Sequence, residues 1–423
     1  MQLDLTHQGV DDGAELAGCG PVYFGAPPES AAPLRQLAYE RIRSAGQIPR
    51  VELARVLDVS PATVTAVVSE LIGAELVEEV EGTARPGARG RPPVALRVRG
   101  GAGYVVGVKI AEFKHTAVLT DMAGTTLASA TLSRPSQARS LKAVLAETGE
   151  LVREVTRRAD VSERKVIALG AGLPGLIDHP EGRVLWSSVL EGEGVPLAEK
   201  LTEALGIPAF IDNDTNLLTL AELWFGRGRM ARDFAVVSIE QGVGMGLVLG
   251  QGLYRGAHSL ALELGHTKVQ LDGALCRCGQ RGCLEAYTSD YALVREAHTA
   301  LELDSRLQLS PQMVLESLHD RAKAGNEGAR SIFRRAGRYM AAGLANVINL
   351  FDPSLIILSG ERMQYQYLYA EEVMREMQGL IVGRGRKAPD VAVNAWGDLV
   401  WARGAAALAL EVAAGKLAGR SIA

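Results

Sequence analysis

Cysteine is scarce in this chain, with four in 423 residues. So small a number provides no disulfide framework and suits a reducing compartment. No apolar run reaches the ~18 residues that a membrane-spanning helix needs. The opening residues, Met1-Gln-Leu-Asp-Leu-Thr6, carry an acid and lead into no apolar segment, so no secretory signal is visible. These absences point to the cytoplasm and away from the membrane. An excess of positive charge is also missing: 45 Lys and Arg stand against 49 Asp and Glu, a formal net charge of −4. The molecule as a whole is no general polyanion binder, and any nucleic-acid contact must come from a local basic patch. The rest is ordinary for a globular protein, 47% hydrophobic and 22% charged. The length suggests about two to four domains.

The few cysteines are clustered. Cys276, Cys278 and Cys283 follow His266 in the pattern His-x9-Cys-x-Cys-x4-Cys. Four such ligands can close a tetrahedral shell around Zn²⁺ with no position left for water, as in a structural site, one ion per chain. The competing reading is three unrelated buried cysteines and a surface histidine. So tight a cluster in a cysteine-poor chain argues against it. Glu263 and Glu285 lie just outside the ligand set, so a metal knot would also pin two carboxylates. Cys19 stands alone in the N-terminal tail.

Taken in order, residues 1–32 are rich in Gly, Ala, Pro and Asp and lack apolar periodicity, which predicts a mobile arm. Residues 33–100 read as a winged helix-turn-helix. Apolar positions recur at helical spacing from Leu34 to Ile42 and from Val51 to Leu57. Ser60-Pro61 then offers an N-cap and a first-turn proline for a helix over about 61–73. Val64, Val67, Val68, Leu71 and Ile72 face inward on that helix. Thr63 and Thr65 are left outside as candidates to read bases, and Ser60 and Ser69 as candidates to bond phosphate. Two strands follow, over 76–80 and 94–98. The Gly/Pro-rich segment between them carries Arg85, Arg89 and Arg91, suited to phosphate or minor-groove contact at a wing tip. The alternative for this stretch is a solvated basic linker.

From Gly103 the pattern becomes α/β. Strand-like runs at 104–110, 116–120 and 126–132 precede a helix over 140–158, a strand ending in Gly172-Leu-Pro-Gly175, and a strand ending in Asp212-Asn-Asp214. The pattern restarts with a hairpin over 234–249, then helices, a strand over 353–360 and an Ala-rich helix over 399–417. Two rounds of meander, helix, strand and helix predict two related lobes around a cleft: a first lobe of residues 101–212 plus 400–423, and a second lobe of residues 213–399. Asn213 and Asp214, at a strand's carboxyl end, join Glu263, His266 and Glu285 as cleft candidates. Carboxylates that accept and an amide that does both suit the hydroxyls of a sugar. Asp214 could also act as a general base, or merely cap a helix. The run Gly242-Val-Gly-Met-Gly246 could cradle phosphate, although glycines in a hairpin more often permit close packing.

These elements together resemble the ROK family (repressors, open reading frames and kinases), from about Pro33 to the C-terminus. The most specific match is Glu263-Leu-Gly-His266 with Cys276-Arg-Cys278-Gly-Gln-Arg-Gly-Cys283-Leu-Glu285. Gly172-Leu-Pro-Gly175, Asn213-Asp214-x-Asn216 and Leu358-Ser-Gly-Glu361 support it. The resemblance implies an actin/hexokinase-like (ribonuclease H-like) body of two lobes behind the winged helix. It implies structural zinc on His266, Cys276, Cys278 and Cys283, and sugar contacts from Asn213, Asp214, Glu263, His266 and Glu285. Asp214 matches the general base of the kinases. Two departures matter. The family's Asp-x-Gly-Gly-Thr-Lys phosphate loop is here Lys109-Ile-Ala-Glu-Phe-Lys114, and its Gly-Thr-Gly loop is Glu240-Gln-Gly242. Both place a carboxylate where phosphate would sit. In the loop from Trp186 to Gly194, Ser188 stands for an Asn of the sugar pocket.

The expected protein is a DNA-binding transcriptional regulator of sugar genes, a repressor, whose kinase-derived domain senses a sugar and no longer catalyses. Its expected partners are double-stranded operator DNA, a sugar or sugar derivative, and a second copy of itself. That pairing would give a homodimer, or a tetramer of two such dimers. Two rival readings are an active ATP-dependent sugar kinase with an attached DNA-binding domain, and a repressor controlled by a protein partner.

Overall fold

The computed structural model describes residues 18–22, 33–81, 94–134, 138–300, 310–360, 371–383, 385–394 and 397–419. Three helices open the chain: α1 (Leu34–Ala45), α2 (Arg50–Leu57) and α3 (Pro61–Gly73). The short strand β1 (Ile48–Pro49) and the wing strands β2 (Val77–Glu81) and β3 (Val94–Val98) form a sheet in the order β1-β3-β2. α3 starts where the Ser–Pro pair places it: the Ser60 hydroxyl accepts the Thr63 N–H at 3.1 Å, and Pro61 is the first helical residue. Val64, Val68 and Leu71 lie buried against Tyr39, Ile42, Leu53 and Leu96. The turn from α2 into α3 is made by Asp58 at φ 54°.

The body has two five-stranded sheets. The first contains β4 (Tyr104–Lys109), β5 (Lys114–Asp121), β6 (Thr126–Ser133), β7 (Val166–Leu173) and β10 (Ala209–Asn213). A small hairpin of β8 (Leu176–Asp178) and β9 (Arg183–Trp186) projects beyond it. α4 (Leu141–Arg158) and α5 (Leu197–Leu205) cover the outer face. α6 (Asp214–Phe225) crosses to the second sheet, made of β11 (Phe234–Ile239), β12 (Val243–Leu249), β13 (Gly252–Tyr254), β14 (Leu355–Ser359) and β15 (Asp390–Asn394). Its outer face is covered by α7 (Glu285–Thr288), α8 (Asp290–Ala300), α9 (Pro311–Lys323), α10 (Glu327–Phe351) and α11 (Glu371–Leu380). α12 (Val400–Ala418) closes the chain.

From its antiparallel edge the first sheet runs β6-β5-β4-β7-β10 and the second β13-β12-β11-β14-β15. In each, two antiparallel pairings are followed by two parallel ones, so the halves repeat one topology. α6 and α12 fill the space between the sheets. Residues of both sheets, such as Val105, Ala168, Val236 and Ile357, share one core with these helices. The two helices are in backbone contact: a Cβ on Gly404 would sit 1.8 Å from the Leu217 carbonyl oxygen. The alanines of α12, among them Ala402, Ala405, Ala406 and Ala409, are fully buried, because small side chains let helix and strand approach closely.

The same core continues into the N-terminal helices. Arg35 of α1, nearly buried, donates from Nη1 to the carbonyls of Leu417 (3.1 Å) and Ala418 (3.0 Å), which belong to the orphan acceptors at the end of α12. Arg43 stacks over Trp224 of α6 at 4.4 Å. Of the expected mobile arm, the stretch from Gly18 to Val22 is ordered and wedged at this junction. Its N–H groups donate to the carbonyls of Arg43, Trp224 and Arg229, and Cys19 is buried. No single helix among the described residues is long and apolar enough to cross a membrane.

Candidate metal and sugar site

The four clustered ligands come together as their spacing predicts. Ligand atoms of His266, Cys276, Cys278 and Cys283 all lie within 4.8 Å of one another. Cys278 Sγ is 3.7 Å from Cys283 Sγ, and Cys276 Sγ is 3.7 Å from His266 Nδ1. A tetrahedron with Zn–S bonds of about 2.3 Å has S···S edges of about 3.8 Å, so the set fits zinc and can hold a metal ion. Gly279 (φ 85°) and Gly282 (φ 77°) make the turns that carry the chain from Cys278 to Cys283.

Lys268 and Tyr291 join this cluster, and sequence reasoning did not single them out. Lys268 Nζ donates to Cys283 Sγ at 3.0 Å and to Gln280 Oε1 at 2.6 Å. The Tyr291 hydroxyl donates to Cys276 Sγ at 3.5 Å. Three thiolates around a divalent ion leave a net negative charge, which an ammonium offsets. A lysine two residues after the histidine ligand was a signal available in the sequence.

The metal cluster is joined to the carboxylates. His266 turns Nδ1 to the sulfurs, while Nε2 is 4.0 Å from Glu263 Oε2. Glu285 is buried. One of its oxygens accepts the Val243 N–H at 3.2 Å and the other lies 3.7 Å from Cys276 Sγ. Burial pushes the Glu263 carboxyl above its ordinary range; the nearby His266 opposes this, and the negative charges of Glu285 and Asp214 add to it. Glu263, Glu285 and Asp214 therefore share one electrostatic neighbourhood. Asn213, rather than Asp214, caps α6: its Oδ1 accepts the Asn216 N–H at 2.7 Å. Asp214 stands in the first turn, half-buried, and among the described residues its carboxylate is bonded to the adjacent Thr215 N–H at 2.9 Å, so it keeps acceptor capacity for a ligand. Ser188 is exposed, and among the described residues no hydrogen bond ties it to these five. Its neighbour Ser187 is the buried one, donating to the Pro174 carbonyl at 2.6 Å.

Around the stretches that stand for the family's phosphate loops, the chain's own side chains make close contacts. A Cβ on Gly244 would lie 2.2 Å from Thr215 Oγ1, and one on Gly246 would lie 1.9 Å from Thr219 Oγ1. These glycines admit α6, so they serve packing rather than phosphate. Gly242 admits the Glu285 carboxylate, 2.8 Å from where its Cβ would be. Glu112, on the loop from β4 to β5, accepts from Gln241 Nε2 of the other lobe at 3.3 Å. Lys114 pairs with Asp398. Lys109 lies with its ammonium 3.3 Å from the centre of the Trp401 ring. The Ala111 N–H, one of the amides a phosphate loop would present, donates instead to His115 Nδ1 at 3.1 Å.

His115 is itself buried and bonded through Nε2 to Glu147 at 3.0 Å. Burial, the largest influence, holds its pKa below the ordinary 6.5, against the pull of Glu147. Accepting the Ala111 N–H requires the neutral ring. The unfolded chain therefore binds the extra proton first as the pH drops through about 6.5, and stability falls with it. His115→Gln is expected to flatten the fall in Tm on going from about pH 7 to pH 5.5, followed by circular dichroism melts of both proteins.

The surface predicted to meet DNA is only partly described. Thr63, Thr65 and Ser69 are exposed on α3, Thr63 on the opposite flank from Thr65 and Ser69, with Ser60 at the helix start. Thr65 and Ser69 donate their hydroxyls to the Pro61 and Thr65 carbonyls at 2.8 Å, leaving lone pairs outward. Ser60 and Thr63 share a hydroxyl–hydroxyl bond of 2.8 Å. Arg85, Arg89 and Arg91 lie outside the described residues. Arg97 and Arg99, on and just after β3, pair with Glu78 and Glu75 at 2.6 and 3.6 Å.

A winged helix-turn-helix fused to a two-lobed, sugar-kinase-like body with a Cys₃His metal cluster defines a sugar-linked transcriptional regulator class. Comparison with known proteins agrees. The ROK family profile matches residues 105–412, and the chain belongs to the ROK family. It is 27% identical over 338 residues to a putative xylose repressor of Caldicellulosiruptor sp. (strain Rt8B.4), covering 78% of this chain and 83% of that one. A crystal structure of a ROK family transcriptional regulator, a homolog of E. coli Mlc, superposes with a TM-score of 0.77 at 25% identity, covering 91% of this chain and 97% of that one. A ROK family glucokinase from Streptomyces griseus, solved with glucose and AMPPNP, gives 0.62 at 28% identity and covers 73% of this chain and 100% of that one. The full kinase thus matches only part of this chain, whereas the regulator matches nearly all of it.

Proposed function

We propose that this protein is a sugar-responsive transcriptional repressor of the ROK family, in which a former kinase cleft senses and no longer catalyses. The observation that carries the reading is the unequal state of the two cleft halves. Asn213, Asp214, Glu263, His266 and Glu285 remain as a carboxylate-rich sugar site, while the nucleotide half is spanned by Glu112–Gln241 and pinned by His115. A glucose-like ligand would meet acceptors for its hydroxyls at Asp214, Glu263 and Glu285. His266, with one nitrogen on the metal side and the other towards Glu263, would link the ligand to the metal knot. α3 would lie in the major groove with Thr63 and Thr65 towards bases, Ser60 and Ser69 towards phosphate, and Arg85, Arg89 and Arg91 towards the adjoining backbone or minor groove. Two protomers would present two such helices to a palindromic operator, with half-sites about one helical turn, or a multiple of it, apart. The setting is the cytoplasm.

Zinc would occupy the Cys₃His cluster, with Lys268 offsetting the thiolate charge. Lys268→Met is expected to weaken zinc binding about tenfold or more, read by competition with a chromophoric chelator.

Retention of Asp214 is the observation that favours the rival, an active sugar kinase. A coupled assay with ATP and a panel of pentoses, hexoses and amino sugars separates the two. Our reading expects no turnover above background together with tight binding to palindromic DNA selected from a random pool. Turnover of about 1 s⁻¹ or more would establish the kinase instead.

A further inference from the structure

Beneath the sugar-site residues lies a carboxylate that none of them explains. Asp212 is the penultimate residue of β10 in the first lobe and is 1% exposed. Its Oδ1 accepts the Asn213 N–H at 2.8 Å and Asn216 Nδ2 at 2.7 Å, fixing the turn that presents Asn213 and Asp214. Its Oδ2 accepts Nε of Arg255 at 2.8 Å. Arg255 directly follows β13 of the second lobe, so this is an ion pair between lobes, 2% exposed on one side and 20% on the other. His179, 3.7 Å from the same oxygen, is itself held at the Ile211 carbonyl (2.8 Å).

Arg255 also begins the loop that leads to Glu263. In that loop Ser259 (φ 56°) and Leu262 (φ 73°) adopt the left-handed conformation, together with Gly256. For non-glycine residues this stores about 1–2 kcal/mol each, and it persists only where both ends of a segment are held. One end is held by Asp212. The other runs through Glu263 into His266 and the metal cluster.

We infer that the Asp212–Arg255 pair positions the effector site: it sets the register between Asn213–Asp214 on one lobe and Glu263 on the other. Arg255 is a positioning residue for sugar binding and is dispensable for metal binding. The inference rests on the sugar-site reading above. A site assembled from two lobes binds well only when both sides are held at one spacing, and here a single carboxylate grips both.

The test uses the full-length, zinc-loaded protein and calorimetric titration with D-xylose, D-glucose and N-acetyl-D-glucosamine. Arg255→Met is expected to raise the Kd of whichever sugar the wild type binds about tenfold or more, with zinc content unchanged. Arg255→Lys, which keeps the charge but not the fixed fork, is expected to raise it about threefold. A merely stabilising pair would lower Tm and leave the Kd of the folded protein alone. Should Arg255→Met fail to fold, the lysine variant decides on the same readout. A sugar Kd within about twofold of wild type in a folded variant overturns the inference and leaves the sugar site standing. A wild type that binds none of the three sugars overturns both.

Discussion

Cys283→Ala is expected to release the metal and abolish sugar binding in one step. Cys283 is fully buried, faces Cys278 at 3.7 Å and receives the Lys268 ammonium, so its loss opens the shell and removes one of that ammonium's partners. Removal of one ligand from a structural site forfeits much of a binding energy of about 10–16 kcal/mol. The damage reaches the sugar side because Glu285 follows two residues later and His266 shares a single turn with Glu263. Metal content should fall from about one zinc per chain to near zero by elemental analysis, with Tm lower by about 5 °C or more. Sugar binding should vanish in calorimetry. Cys19→Ala is the matched control. Cys19 lies at the junction of α1 and α6, so that variant should keep its zinc. A Cys283→Ala protein that retains metal and sugar binding would sink the view that the knot shapes the pocket.

Asp214→Ala is expected to weaken sugar binding strongly without touching either zinc or DNA. The helix start survives because Asn213 is the cap. Among the described residues the Asp214 carboxylate contributes an adjacent turn bond to the fold. A charged acceptor for sugar hydroxyls contributes about 1.5–3 kcal/mol per bond, so Kd should rise about 10- to 150-fold. Operator affinity in the absence of sugar should stay at the wild-type value. If sugar affinity is preserved, the ligand lies elsewhere in the molecule.

Much of this was legible in the sequence because the signals are local. Ser60-Pro61 and the spacing of Val64, Val68 and Leu71 specify α3 within a dozen residues. The ligand spacing from His266 to Cys283 specifies the cluster in the same way. Departures at Lys109–Lys114 and Glu240–Gly242 could be read as lesions, since a carboxylate repels phosphate in any fold. What escaped depends on contacts between distant segments. Nothing near Asp212 announces Arg255, 43 residues away. Residues 18–22 have no apolar period, yet backbone hydrogen bonds to Arg43, Trp224 and Arg229 order them, and backbone bonds leave no mark in composition. The hairpin β8–β9, the nine-residue α5 and the edge strand β15 are too short or too peripheral for a strong periodic pattern. The glycines of β12 admitted two readings until the Thr215 and Thr219 hydroxyls of α6 were found against them.

α6 and α12 share one packed core with the N-terminal helices. α6 begins at Asp214 in the cleft and ends at Phe225, beside Arg43 of α1 and the stretch from Gly18 to Val22. α12 ends at the Arg35 guanidinium of the same helix α1. A ligand that shifted the start of α6, or the angle between the lobes, would therefore act on the base of the winged helix through packed helices. Its reach is limited to its differential affinity for the two arrangements, and a coupling of about 1–3 kcal/mol is enough for a 5- to 150-fold change in operator affinity.

The most direct test of that account is the operator Kd of the zinc-loaded protein, measured by fluorescence anisotropy at fixed salt with and without a saturating sugar whose binding calorimetry has established. The account predicts that the sugar weakens operator binding about 5- to 150-fold in the wild type and leaves it unchanged in Asp214→Ala. An operator Kd that stays the same in the wild type, with the sugar demonstrably bound, would contradict it.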